Sequence, residues 1–184
     1  SNLSLKTPKS IDKEKILWYK KLSFKESFDT KTSLRRNIYI NLRNNNSMKV
    51  FITAPFKEGK NKKEIEHLCS ILKKSGFEDF CFVRDVENYQ KVFDSAKALM
   101  QRAQKEIKKC DCLFIDMSNK PTGRAIEAGI AFAEGKKIIT VMKRGTVIKD
   151  TTRGISDSIM EYEELTDLIE PLSTLFKEWS KNAQ

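Results

Sequence analysis

Histidine, the residue on which many metal centres and all Ser-His-Asp triads rely, is almost absent from the chain. One histidine, His67, occurs in 184 residues. A lone histidine cannot supply a histidine-rich metal set, and on an amphipathic helix it reads as a surface or boundary residue, so a Ser-His-Asp triad is not expected either. Cysteine is scarce too: Cys69 and Cys81 fall in apolar patterns, while Cys110 and Cys112 lack the two-residue spacer of a zinc or redox pair. No apolar run approaches the ~20 residues that a membrane helix needs. No apolar segment of the signal-peptide kind opens the chain. The expectation is a cytoplasmic protein with no membrane association and no histidine-based metal site.

What is abundant is charge. Lys and Arg number 35 against 25 Asp and Glu, a net charge of +10. The excess is uneven: residues 1–47 carry 11 basic and 4 acidic side chains, the remainder 24 and 21. A basic segment of this kind attracts polyanions nonspecifically or aids solubility, and the rest of the chain does not read as a nucleic-acid binding domain. The run Asn44-Asn45-Asn46-Ser47 marks the change. Residues 1–47 are therefore read as a basic extension of unassigned role, with one helix over 12–22 and a strand-like piece over 37–42. Residues 48–184 are read as one domain.

Within that domain the hydrophobic periodicity predicts strands over 49–54, 80–83, 112–116, 137–142 and 156–160. It predicts helices over 62–75, 92–109, 123–134 and 163–181. Tyr162 and Trp179 fall on apolar stripes and read as core aromatics. Apolar strands alternating with helices imply an α/β fold. The expected architecture is a doubly wound, mainly parallel sheet of about five strands with helices on both faces, a Rossmann- or flavodoxin-like three-layer sandwich. Ligands of such sheets bind past the carboxyl ends of the strands. That rule selects four loops: 55–61, 84–91, 116–123 and 143–153.

Loop 55–61, PFKEGKN, places Lys57 and Lys60 before a helix, which suits an anion, although the G-K-[ST] ending of a Walker loop is missing. A solvated turn is the plain alternative. Arg84-Asp85 opens the second loop and either orients a ligand or caps the next helix. The third loop, DMSNKPTG, leads into GRAIEAG, where Gly123 lets a ligand approach the backbone. Glu127 follows in the opening turns of that helix, among the small residues Ala128, Gly129 and Ala131, a pattern that suggests close packing on the sheet. A surface glutamate favoured by the helix dipole is the plain reading. Asp111 stands at the entry of the third strand and reads as structural. Asp116 stands at its carboxyl end and reads as a base-binding residue or one that assists base protonation.

The segments KVFITAPF (49–56), KCDCLFID (109–116), GRAIEAGIAFAEGKKII (123–139) and TTRGISDSIMEYEE (151–164) together resemble the nucleoside 2-deoxyribosyltransferase family, which includes the 2'-deoxynucleoside 5'-phosphate N-hydrolases. The resemblance runs from Met48 to about Leu172. It implies cleavage or transfer at the N-glycosidic bond of a nucleoside or nucleoside 5'-monophosphate, with Glu127 as nucleophile and no cofactor. A substrate site is implied around Phe51, Pro55, Phe56, Lys57, Lys60, Asp85, Thr122, Gly123 and Arg124. A homodimer is implied as well, in which Lys149, Thr151 and Thr152 reach the site from the neighbouring subunit. Three positions depart from the family pattern: Phe51 replaces a tyrosine, Ala103 an aspartate and Pro121 a serine. The departures keep a second reading open, a non-catalytic nucleotide-binding or sensor module on the same fold.

Overall fold

The computed structural model describes residues 47–119 and 122–181. The helix expected over 12–22, the strand expected over 37–42 and Pro121 lie outside the described residues. The elements run β1 (Lys49–Ile52), α1 (Lys62–Lys74), β2 (Glu78–Cys81), α2 (Phe82–Asp85), α3 (Ala96–Lys109), β3 (Cys112–Asp116), α4 (Thr122–Ala133), β4 (Lys137–Lys143), α5 (Asp150–Ile155), β5 (Ser158–Tyr162), a 3-10 turn (Leu165–Leu168) and α6 (Ile169–Lys181). The five strands form one sheet in the order β2-β1-β3-β4-β5, and every pairing is parallel.

β3 sits at the centre, and Leu113, Phe114 and Ile115 are all buried because helices cover both faces. Alternate residues feed two cores. Val50, Ile52, Cys112, Phe114, Ile139 and Val141 pack with Ile65, Cys69 and Leu72 of α1 and Leu172, Leu175 and Trp179 of α6. Phe51, Leu113, Ile115 and Ile138 face the other way, onto Ala103 and Ile107 of α3 and Ala128 and Ala131 of α4. The two-residue period of the strands thus meets helical stripes of period near 3.6 on either side. Asp111 is structural as expected: its Oδ2 accepts from Lys49 N at 2.8 Å, tying the entry of β3 to β1. All four cysteines are free and buried. No helix among the described residues is long and apolar enough to cross a membrane.

Several boundaries differ from expectation: β1 ends at Ile52 rather than 54, β2 begins at Glu78 rather than 80, β5 runs Ser158–Tyr162 rather than over 156–160, and the last helix, expected from 163, opens with the 3-10 turn and becomes α6 at Ile169. Further differences have a visible local cause. The second strand was expected over 80–83 but ends at Cys81. Asp85 Oδ2 accepts from Cys81 N at 2.9 Å, and Arg84 turns back to Asp79 at 2.6 Å. These side-chain bonds favour a helical turn over the β propensity of Phe82 and Val83. The third helix starts at Ala96 rather than near 92, because Ser95 Oγ accepts from Ala98 N at 3.1 Å and caps it. Ser95→Ala is expected to cost about 1 kcal/mol in urea unfolding. The segment after β4, read as a loop, contains α5.

Candidate active site

The sheet order gathers three loops at the carboxyl ends of β1, β2 and β3. They enclose a cleft of about 910 Å³, within the range of small-molecule sites. From the β1 loop come Pro55, Phe56 and Lys57; from the stretch between β2 and α3 come Phe82, Glu87, Lys91, Phe93 and Asp94; from the β3 loop and α4 come Asn119, Gly123, Arg124 and Glu127. Leu99 and Met100 of α3 complete one apolar wall. Phe82 and Phe93 stack beside it with centroids 5.9 Å apart and planes at 17°.

The helix register decides what α4 contributes. Ala128 and Ala131 face the sheet and are buried. Arg124 and Glu127, one turn apart on a neighbouring stripe, reach the cleft. Gly129 corrects the expectation of close packing on the sheet: it points outward, and a Cβ there would meet nothing within 4 Å. A Cβ on Gly123 would likewise meet nothing within 4 Å, so the backbone there borders open cleft.

Glu127 accepts no hydrogen bond from any described residue. Burial pushes its carboxyl up to about 8, opposed by the Arg124 guanidinium and reinforced by Glu87. Arg124 is itself desolvated, which lowers its pKa, and Nη1 donates to Asp116 O at 2.9 Å. That bond anchors the guanidinium at the end of β3, where a planar donor fork suits a carboxylate or phosphate. Lys57 and Lys91 add positive charge at the cleft, and Asp94 joins the two glutamates as a third carboxylate.

Several residues singled out from sequence lie elsewhere. Phe51 is 0% exposed and packs under the site, 5.8 Å from Phe80 and 6.3 Å from Phe82 between ring centroids, so it supports the cleft wall rather than lining it. Asp85 ends α2, accepts from Cys81 N and Arg84, and does not line the cleft. Lys60 is exposed in the turn before α1, with its N–H on Lys57 O. Thr122 is the exposed first residue of α4. Asp116 does not line the cleft: it accepts from Ser118 Oγ at 2.6 Å and from Tyr162 Oη at 2.6 Å, bracing the loop after β3 against β5. Lys149 immediately precedes α5, which carries Thr151 and Thr152, and none of the three lines this cleft.

Sequence reasoning selected loop 84–91 and read only its first two residues. Glu87 was in that loop, and a carboxylate flanked by Val86 and followed by Asn88-Tyr89 was its available signal. Phe82 and Phe93 were assigned to regular elements, which hid their place at the cleft.

An all-parallel sheet of this order with a ligand-sized, charged cleft at its carboxyl edge has the architecture of an α/β domain that binds small molecules. The chain belongs to the nucleoside 2-deoxyribosyltransferase family, whose model matches residues 50–166. Its members are N-glycosidases and transferases acting on nucleosides. Among solved structures it is similar to the CMP N-glycosidase BcmB of Clostridium botulinum, at 26% identity and a TM-score of 0.50, over 67% of this chain and 97% of that one. A 2-deoxyribosyltransferase of Bacillus psychrosaccharolyticus shares 23% identity with a TM-score of 0.50, over 66% and 90%. A conserved protein of Enterococcus faecalis shares the fold at 11% identity and a TM-score of 0.54, over 70% and 99%. No curated protein matches the chain.

Proposed function

We propose that the chain cleaves the N-glycosidic bond of a nucleoside 5'-monophosphate with Glu127 as nucleophile. The observation that carries this reading is the Glu127 carboxyl, free of hydrogen bonds from described residues, in a cleft it shares with Arg124. As the C1'–N bond breaks, positive charge builds at C1', and a carboxylate there stabilises and then captures it. The base departs with the bonding pair, and the sugar remains as an ester on Glu127. Water then hydrolyses the ester, or a second base takes the sugar. Retaining glycosidases use the same two-step logic. Arg124 and Lys57 suit the 5'-phosphate as a fork donor and a point charge. Phe56, Phe82 and Phe93 offer aromatic surface to a flat base. The likeness to a CMP N-glycosidase favours a ribonucleotide substrate and hydrolysis.

The test is incubation with nucleosides and their 5'-monophosphates, with and without an acceptor base, followed by chromatography of the free base. Release from a monophosphate well above that from its nucleoside is expected. Absence of release from every compound would overturn the reading.

A non-catalytic binding module is favoured by one observation: Phe51 and Ala103 are both fully buried in the core, so neither place offers a polar group to the substrate. It requires ligand binding without base release.

The active form under this reading is a homodimer, with Lys149, Thr151 and Thr152 entering the partner's site. The outer face of α4 suits such pairing: Ile126 and Phe132 are 54% and 57% exposed, and the open side of Gly129 lies between them. Light scattering after size exclusion is expected to give twice the chain mass, and Ile126→Glu to give the single chain mass.

A further inference from the structure

We propose that Glu87 is the residue that reads the nucleobase and protonates it as it leaves, selecting bases that carry an amino group next to a ring nitrogen. This rests on the N-glycosidase reading. Glu87 lines the same cleft as Glu127, yet it is only 4% exposed. No described residue hydrogen-bonds its carboxyl. The carboxyl oxygens are not among the sealed, unpartnered polar atoms of the fold, so an otherwise buried Glu87 meets solvent at the cleft it lines, where a ligand can supply the partner.

The backbone holds Glu87 in position. Its N–H donates to Phe82 O at 3.2 Å, and its carbonyl accepts from Gln90 N at 2.9 Å. The next two residues, Asn88 and Tyr89, have φ of 46° and 60°, in the left-handed region that non-glycine residues rarely adopt. The surroundings over-determine that conformation: Tyr89 N–H donates to Val83 O at 2.9 Å, and Tyr89 Oη donates to Glu66. Strain maintained beside a cleft is commonly functional. The neighbouring wall is the Phe82–Phe93 stack. Lys57, Lys91, Asp94, Arg124 and Glu127 are the other charged groups facing this cleft.

Burial raises the pKa of Glu87, favouring its neutral form. A neutral carboxyl presents one O–H donor and one carbonyl acceptor side by side. An aminated base edge presents the complement, a ring-nitrogen acceptor beside an N–H donor, so two hydrogen bonds form together. An oxo base with a ring N–H presents the opposite pattern. In the reaction the C1'–N pair goes to the base while the Glu87 proton goes to its ring nitrogen. The base leaves neutral, Glu127 holds the sugar, and Glu87 is a carboxylate. Hydrolysis of the ester puts the hydroxyl of water on C1' and returns its proton through solvent to Glu87.

The test compares wild type with Glu87→Gln and Glu87→Leu on cytidine and uridine 5'-monophosphates and on 4-nitrophenyl riboside 5'-phosphate, whose leaving group needs no proton. Glutamine keeps the donor and acceptor but cannot give up a proton. Glu87→Gln is expected to bind cytidine 5'-monophosphate with little change in KM, to lose about 100-fold or more in kcat on it, and to cleave the nitrophenyl compound at the wild-type rate. Glu87→Leu is expected to lose the preference for cytidine over uridine monophosphate in calorimetric binding. A wild-type kcat for Glu87→Gln on cytidine 5'-monophosphate, or an unchanged binding preference in Glu87→Leu, overturns the proposal. The binding arm reads base recognition even where no base is released, so failure of the N-glycosidase reading is seen separately.

Discussion

Replacing Glu127 with glutamine is expected to lower turnover by about a thousand-fold or more while leaving substrate bound, because in the proposed mechanism it removes the group that captures C1' and keeps the shape of the cleft. The same change is expected to stabilise the fold at alkaline pH. Burial pushes the Glu127 carboxyl up to about 8 in the folded chain, whereas an unfolded glutamate titrates near ~4.3. The folded state therefore holds a proton that the unfolded state has already released. That contribution is intact below the unfolded pKa and is lost as pH rises from about 4.3 through about 8. Glutamine has no proton to lose. Thermal melts are expected to show Glu127→Gln a few degrees above wild type at pH 8.5 and level with it at pH 4. A nucleophile must also be ionised. On a substrate with an activated leaving group, wild-type kcat/KM is expected to rise about tenfold per pH unit below 8 and to flatten above it. Equal melting of the two proteins at pH 8.5 would mean that Glu127 is solvated and ordinary.

Gly76→Ala is expected to be the most damaging small substitution away from the cleft. Gly76 ends α1 with φ of +104°. Its N–H donates to Lys73 O, and Phe77 N–H donates to Leu72 O, both at 3.1 Å. This pair of bonds is the Schellman arrangement that closes a helix, and it requires a left-handed residue. A Cβ at Gly76 would also stand 2.8 Å from Cδ1 of Phe176, whose ring packs edge-on against Phe77 at 5.2 Å. Backbone strain and the forced shift of a packed ring together are expected to cost about 2–4 kcal/mol. Gly145→Ala supplies the control, since φ is +80° there and a Cβ meets nothing within 4 Å. It is expected to lose only about 1 kcal/mol. Urea denaturation of the two variants separates strain from clash. Gly76 precedes β2, at the end of the sheet opposite the cleft, so kcat/KM of the folded fraction should be unchanged.

The strands were readable because burial on both faces writes continuous apolar runs, as in Cys112–Asp116, whose bounds the sequence predicts without error. The loops selected by the carboxyl-end rule include three of those that form the cleft. The pattern missed what short side-chain bonds decide. Asp85 converts Phe82 and Val83 from strand to helical turn, and that turn carries Phe82 and Glu87 into the site. Hydrophobic periodicity does not register a single carboxylate accepting from a backbone N–H. Phe51 was assigned to the site by resemblance, but the alternation of β1 sends it into the core beneath. Asp116 was placed correctly at a strand end, but its orientation is set by Tyr162, 46 residues away. Long-range bonds of that kind leave no local signal.

The most direct measurement is the stereochemistry of cleavage. Turnover of the best 5'-monophosphate in dilute methanol gives a methyl glycoside whose anomeric configuration is read by proton NMR. Double displacement through a sugar ester on Glu127 retains configuration, so the β-methyl glycoside is the predicted product. The α-methyl glycoside would show direct attack by solvent and contradict the assignment of Glu127 as nucleophile.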